Sequence, residues 1–387
     1  MKPKIITIVL ASGLLAGSVP LFAQEYNLAY LDSMIQNKAQ SLISRGTKFS
    51  LVGYTTAGII FSKDETSFRN ITFNPIFLWK PSEKIFIEAE LETELEGEET
   101  VIALEYANAS FILNKYMTLR AGKFLSPFGI YQERLHPGWI NKLPTAPLGY
   151  GHDGVGPSAE LGIDLRGGIP LGSSKMNYSL YVSNGPTLNI GDDEPDEGGM
   201  LKYENADDNN KNKAVGGRIG FLPLSNSSLE IGGSFQTGKV GTKETIYEDI
   251  KTQQYALDLT YVKQLDFIKG LLDVKGQWNW VNVDKADYID HDDTTGLTTY
   301  TFDNKRNSWF VCGAYRPTMA QNKFLKKCEL VFRYSALNPP GGSKEPEKLK
   351  QYMYGFNYWV NWRTAFKLAY QSQENNNAFY IQIAVGF

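Results

Sequence analysis

Three observations predict an all-β chain closed into a transmembrane antiparallel β-barrel of 16 strands. From Lys48 to the C-terminus the apolar residues recur with period 2, not 3.6. Past the first two dozen residues no apolar run approaches the ~20 residues a membrane-spanning helix needs, yet 13% of the 387 residues are aromatic. Connections between the alternating segments differ systematically in length, the pattern of a barrel with short turns on one side of a membrane and long loops on the other.

The elements follow in chain order. Lys2 and Lys4 precede an apolar stretch, Ile5–Phe22, that Pro20 breaks and Ala23 closes. Residues 1–23 read as a secretory signal peptide, with Leu21 meeting the small-residue cleavage rule only in part, and a membrane anchor is the alternative. Residues 24–46 carry Leu31, Ile35, Leu42 and Ile43 near helical spacing. They form a short periplasmic N-terminal segment, either a helix or a loose lead-in to the first strand. Residues 47–387 are the barrel. Its strands are expected at 48–62, 67–79, 84–96, 101–113, 117–128, 158–169, 175–184, 213–222, 229–239, 254–264, 270–286, 307–317, 328–337, 352–361, 363–373 and 377–387. The last shows the pattern plainly: Phe379, Ile381, Ile383, Val385 and Phe387 alternate with Tyr380, Gln382, Ala384 and Gly386. One face suits lipid and the other a wet or crowded lumen.

With the N-terminus periplasmic, the even connections are short turns and the odd ones include external loops at 129–157, 185–212, 240–253, 287–306 and 338–351. The loop at 129–157 is third among the external ones and holds four Pro and six Gly. Trp79, Trp278, Trp280, Trp309, Tyr352, Tyr354, Tyr358, Trp359 and Trp362 fall near strand ends, where interfacial girdles form. Packing in a soluble core is the other reading of these rings. Alternation turns Arg120, Arg166, Arg218, Arg316 and Arg333 inward, together with Glu88, Glu90, Glu92, Glu105, Glu160, Asp164, Glu230 and Asp258. That is a mixed lumen. Arg120, Lys123, Arg134 and Lys142, near the third loop, form either a local anion filter or a set of ion pairs that shape the loop. His136 and Asp153 complete the expected pore lining.

The stretch Arg120-Ala-Gly122-Lys-Phe124-Leu-Ser-Pro127-Phe128-Gly129 fits the pattern R-x-G-x-F-x-x-P-F-G. Here the sequence resembles the phosphate-selective porin O/P family, in the form found in Bacteroidetes-type bacteria. The motif covers about ten residues; the rest agrees in architecture, including the terminal Phe387. The resemblance implies a third loop folded inward to narrow the lumen and a homotrimeric channel. Small hydrophilic solutes, anions such as phosphate among them, would pass. It also implies outer-membrane lipid and lipopolysaccharide as the surroundings.

Other function classes find little support. The net charge of −3 offers no basic field for nucleic acid. Two Cys exclude a disulfide scaffold, and the spacing of Cys312 and Cys328 across a turn predicts free thiols. No cofactor is expected. A metal site from His136 and His152 with Glu133 and Asp153 is conceivable but not expected, and so is a hydrolase using His152, Asp153 and Ser158. The acidic run Asp192, Asp193, Glu194, Asp196 and Glu197, continued at Asp207 and Asp208, reads as a solvated loop or a cation bridge to lipopolysaccharide. Asp290-His291-Asp292-Asp293 reads as a polar loop. The expected function is a passive porin. A plugged structural or adhesive surface barrel and a barrel hydrolase are the alternatives.

Overall fold

The computed structural model describes residues 48–96, 99–152, 154–192, 195–203, 206–290, 298–345 and 348–387. The expected signal peptide, the segment 24–46, Asp153 and parts of both acidic loops lie outside the described residues. Sixteen strands close into one antiparallel barrel. In chain order they are β1 (Lys48–Ser62), β2 (Thr66–Ser82), β3 (Ile85–Glu96), β4 (Glu99–Asn114), β5 (Met117–Leu125), β6 (Ala159–Leu171), β7 (Ser174–Ser183), β10 (Ala214–Leu222), β11 (Leu229–Lys239), β12 (Lys251–Leu265), β13 (Gly270–Val283), β16 (Lys305–Arg316), β17 (Cys328–Asn338), β18 (Leu349–Trp359), β19 (Thr364–Gln373) and β20 (Ala378–Gly386). Two short hairpins, β8 (Thr187–Leu188) with β9 (Leu201–Lys202) and β14 (Asp287–Asp290) with β15 (Thr298–Thr301), stand outside the barrel. The expected strands coincide with these sixteen to within a few residues.

Each barrel strand pairs with its predecessor and successor around the barrel, and β1 pairs with β20 to close it. At that seam Gly53 and Phe387 exchange both backbone hydrogen bonds, at 3.1 and 2.8 Å. The Phe387 ring stacks on Phe73 at 5.6 Å.

The strand faces are inverted relative to a soluble sandwich. Along β12 the outward Tyr255, Leu257 and Leu259 are exposed, while the inward Gln254, Asp258 and Thr260 are buried. The same inversion holds on β19, where Phe366, Leu368 and Tyr370 are exposed and Lys367 and Gln371 are buried. Apolar surface in this quantity on the outside of a monomer marks a lipid-facing wall. Part of the expected girdle forms a row on the outer face across β13 to β18: Trp278 stacks on Trp280 at 4.6 Å, Trp309 meets Tyr334 at 4.9 Å, and Tyr334 meets Tyr352 at 4.9 Å. Trp359 departs from that expectation. It shares the inward parity of Asn357, and its indole Nε1 donates to Glu329 at 3.0 Å.

The acidic and polar external loops are more structured than their composition suggests. Leu188, Leu201, Val240, Tyr288 and Phe302 bury one another in a small core at the barrel's rim, resting on Val281 and Val283 at the end of β13. Val155 of the third loop joins it. Tyr288 is fully buried two residues before Asp290, whose carboxylate pairs with Lys344 at 2.6 Å. The residues facing that core are scattered singly among charged ones, so no periodic signal announces them. Cys312 lies opposite Arg333 and Cys328 opposite Tyr358 in the ladders, and both thiols are free.

Candidate channel constriction

The connection from β5 to β6, 126–158, is the first long one and leaves β5 through the 120–129 motif, where Arg120, Gly122, Phe124 and Gly129 each have a structural task. Phe124 is fully buried and carries the Arg120 guanidinium 4.3 Å from its ring centroid. Gly122 has φ +125, and a Cβ there would lie 2.4 Å from the Ala107 carbonyl oxygen. Gly129 has φ +68 and sits against the Gln277 amide, where a Cβ would overlap it. Only glycine meets both demands. Gly129 N–H donates to Ser234 Oγ at 2.9 Å. The next two amides, Ile130 and Tyr131, both donate to Gln277 Oε1, at 2.7 and 2.9 Å. A single helical turn, α1 (Tyr131–Arg134), follows.

From there the loop bonds to polar side chains on the inner face of distant strands. Lys367 of β19 donates to the carbonyl oxygens of Gly138 and Asn141, the latter at 2.7 Å. Arg333 of β17 donates to the carbonyls of Thr145 at 2.6 Å and Ala146 at 2.9 Å. Asn357 of β18 donates to the Lys142 carbonyl at 2.9 Å. Tyr150 packs edge-on against Phe310 at 4.9 Å and donates to the Gln277 carbonyl at 2.9 Å. Trp139 meets Trp362, in the turn between β18 and β19, at 6.4 Å. Consequently the inner wall from β12 to β19 is almost wholly buried, whereas Glu88, Glu92 and Glu94 on β3 keep partial exposure.

Apart from Arg333 and Lys123, the basic residues expected to line the pore pair with carboxylates. Arg120 pairs with Asp164 at 2.8 Å and Glu133 at 3.2 Å, and Arg166 also pairs with Glu133. Arg134 reaches Glu230 at 3.0 Å. Arg218 holds Glu230 at 2.9 Å and Asp258 at 2.6 Å. Lys142 reaches Glu329 at 2.7 Å and Asp273 at 3.2 Å, and Arg316 shares Glu329 at 3.2 Å. Glu160 accepts from Ser183 Oγ and from Gln236 Nε2, both within 2.7 Å. In the loop, burial pushes the Glu133 carboxyl up, but Arg166 and Arg120 outweigh it and hold it well below the usual carboxylate range. The stability it contributes is present above the unfolded-state pKa of about 4.3 and is lost as pH falls through the lower folded value. Burial pulls the Lys142 ammonium down, but Glu329 and Asp273 more than offset this and hold it above its ordinary value.

One expectation needs correction. Lys123 does not join Arg120, because alternation along β5 puts it with Leu119 and Ala121 on the outward face, opposite Leu161; its Nζ donates to the Leu104 carbonyl at 2.7 Å. His152 turns to Glu92 and Glu105, at 3.3 and 3.7 Å. The acids Glu329 and Asp273, and the amide of Gln277, were missed as loop anchors. Their inward parity is legible, but the loop partners of Gln277 and Glu329 lie 146 to 187 residues away in the chain.

No family model and no curated protein matches the sequence. Solved structures do. The chain aligns over 88% of its length with 98% of a Salmonella typhi OmpF chain solved in complex with daunomycin, at a TM-score of 0.57 and 12% identity. It aligns over 88% with all of an anion-selective porin from Comamonas acidovorans, at 0.55 and 11%. It aligns over 89% with 98% of the outer membrane channel DcaP of Acinetobacter baumannii, at 0.54 and 12%. The fold is the porin fold.

Proposed function

We propose that this chain is an outer-membrane porin, a passive channel for small hydrophilic solutes, narrowed by the inward-folded segment 126–158. One observation carries the reading: a closed barrel whose outside is apolar and whose inside is polar and charged. Membrane barrels with a wet or loop-filled lumen have that inversion, and soluble ones do not. The resemblance at 120–129 adds assembly as a homotrimer in lipid and lipopolysaccharide. Because the accessible inner acids cluster on β3 while Arg120, Arg134 and Lys142 are each held by carboxylates, the channel favours cations over anions. It carries no phosphate filter.

Single-channel recording of the refolded mature chain tests this directly. Stepwise currents are expected, with a reversal potential in a KCl gradient on the potassium side. Glu92→Gln combined with Glu94→Gln, measured with a chelator present, is expected to move the permeability ratio toward unity by about two- to threefold, since rings of carboxylates set cation preference in such pores. Millimolar phosphate is expected to leave the current unchanged. Block by phosphate, or a chloride-side reversal potential, would refute the selectivity reading. The covered wall from β12 to β19 favours a plugged barrel as the second reading, and folded protein without conductance would select it.

A further inference from the structure

We propose that Glu92, Glu105, His152 and His136 form a binding site for one divalent transition-metal ion, of the zinc type, that fastens the third loop to the β3–β4 wall. The donor atoms of Glu92, Glu105 and His152 all lie within 4.8 Å of one another. His152 Nε2 stands 3.3 Å from Glu92 Oε2 and 3.7 Å from Glu105 Oε2, and His136 Nε2 stands 3.5 Å from Glu105 Oε1. Tetrahedral zinc with bonds of about 2.1 Å separates its ligand atoms by about 3.4 Å. Glu92, Glu105 and His152 are therefore already spaced as ligands, and His136, from the other half of the loop, adjoins them at the second oxygen of Glu105.

Two local features place them there. The β3–β4 ladder shifts register between Glu90 and Leu91, pairing Glu90 with Tyr106 and Leu91 with Leu104, so Glu105 is the extra residue of a bulge. Bulges of this kind re-aim a side chain beside functional sites. Glu105 is 3% exposed, buried beneath the loop that carries the histidines. The His136 ring is oriented from behind. Its Nδ1 lies 2.5 Å from the Gln132 carbonyl, which can only accept, so Nδ1 is the donor. In the neutral ring Nε2 then presents a lone pair to a carboxylate oxygen, an arrangement that repels unless a cation lies between them. A backbone carbonyl behind a histidine that faces a metal is the usual outer-sphere arrangement for such ligands. Two imidazoles and two carboxylates select zinc-like ions over magnesium or calcium, which take oxygen ligands.

The test is calorimetric titration of zinc chloride into tag-free, refolded, full-length barrel in detergent, with excess magnesium present. One zinc per chain is expected, with X-ray absorption reporting mixed nitrogen and oxygen ligation. His152→Ala, His136→Ala and Glu105→Gln are each expected to weaken binding by at least about 10-fold, as loss of a ligand or its support does. Their barrels are expected to keep the heat-dependent gel shift of the parent. Folded parent protein that takes up no zinc would overturn the proposal, leaving His136 protonated and ion-paired with Glu105. Undiminished zinc binding in His152→Ala and His136→Ala would equally overturn it, by placing the metal elsewhere. Because binding is read without conductance, the site stands or falls apart from the channel reading.

Discussion

Replacing residues 130–148 by a short Gly-Ser linker is expected to raise single-channel conductance severalfold while leaving the barrel folded. That segment supplies the contacts that cover the inner wall from β12 to β19: the carbonyls held by Lys367 and Arg333, the Lys142 ammonium on Glu329, and the Tyr131 ring beside Phe310. Without it, those wall side chains would meet water, and the cross-section available to ions would widen toward that of the bare barrel. The strand ladders owe nothing to the segment, since each is formed between neighbouring strands. Unchanged conductance in a variant with the heat-dependent gel shift of a folded barrel would show that the narrowest point lies elsewhere.

The second large effect is on stability. Glu329 is 2% exposed and accepts from Lys142, Arg316, Asn357 and Trp359 at once. Glu329→Ala leaves two cations and two neutral donors around a cavity. Removing one partner of a buried ion pair costs about 3–5 kcal/mol, and the lower end applies here because Asp273 still faces Lys142 at 3.2 Å. Urea unfolding of refolded barrels in lipid vesicles is expected to show a loss of about 3 kcal/mol relative to the parent. Glu329→Gln should lose less, because a carboxamide oxygen can still accept from Asn357 or Trp359. A Glu329→Ala variant as stable as the parent would mean that water solvates these groups and that the cluster does not anchor the loop.

The strands were legible because lipid enforces the simplest of patterns. Tyr255, Leu257 and Leu259 against Gln254, Asp258 and Thr260 state a period of 2 without ambiguity, and the lipid-facing side admits little else. Where that rule was set aside it misled. Lys123 lies as near the loop in sequence as Arg120, but an odd offset along a strand reverses the face. Loop partners were out of reach for another reason. Nothing local in Gly138 or Thr145 announces Lys367 or Arg333, because backbone carbonyls are the acceptors and every residue has one. The small external core escaped because its ladders are two and four residues long and its apolar members are dispersed among charges. His152 and Glu105 were visible separately, but only the bulge in β4 brings them together.

The closure between β1 and β20 sets this barrel's failure mode. Every other ladder of the wall joins strands that follow one another around the barrel in chain order, closed by a single connection; the seam from Tyr54–Gly386 to Ser62–Ala378 joins the first wall strand to the last. If the seam parts, the cylinder becomes a curved sheet with two raw edges, and in hydrocarbon no solvent satisfies the amides and carbonyls along them. A partly unzipped barrel is therefore not a resting state, and the cylinder shuts or stays out of the membrane. The slow, decisive event in its assembly is the meeting of the two strands furthest apart along the chain.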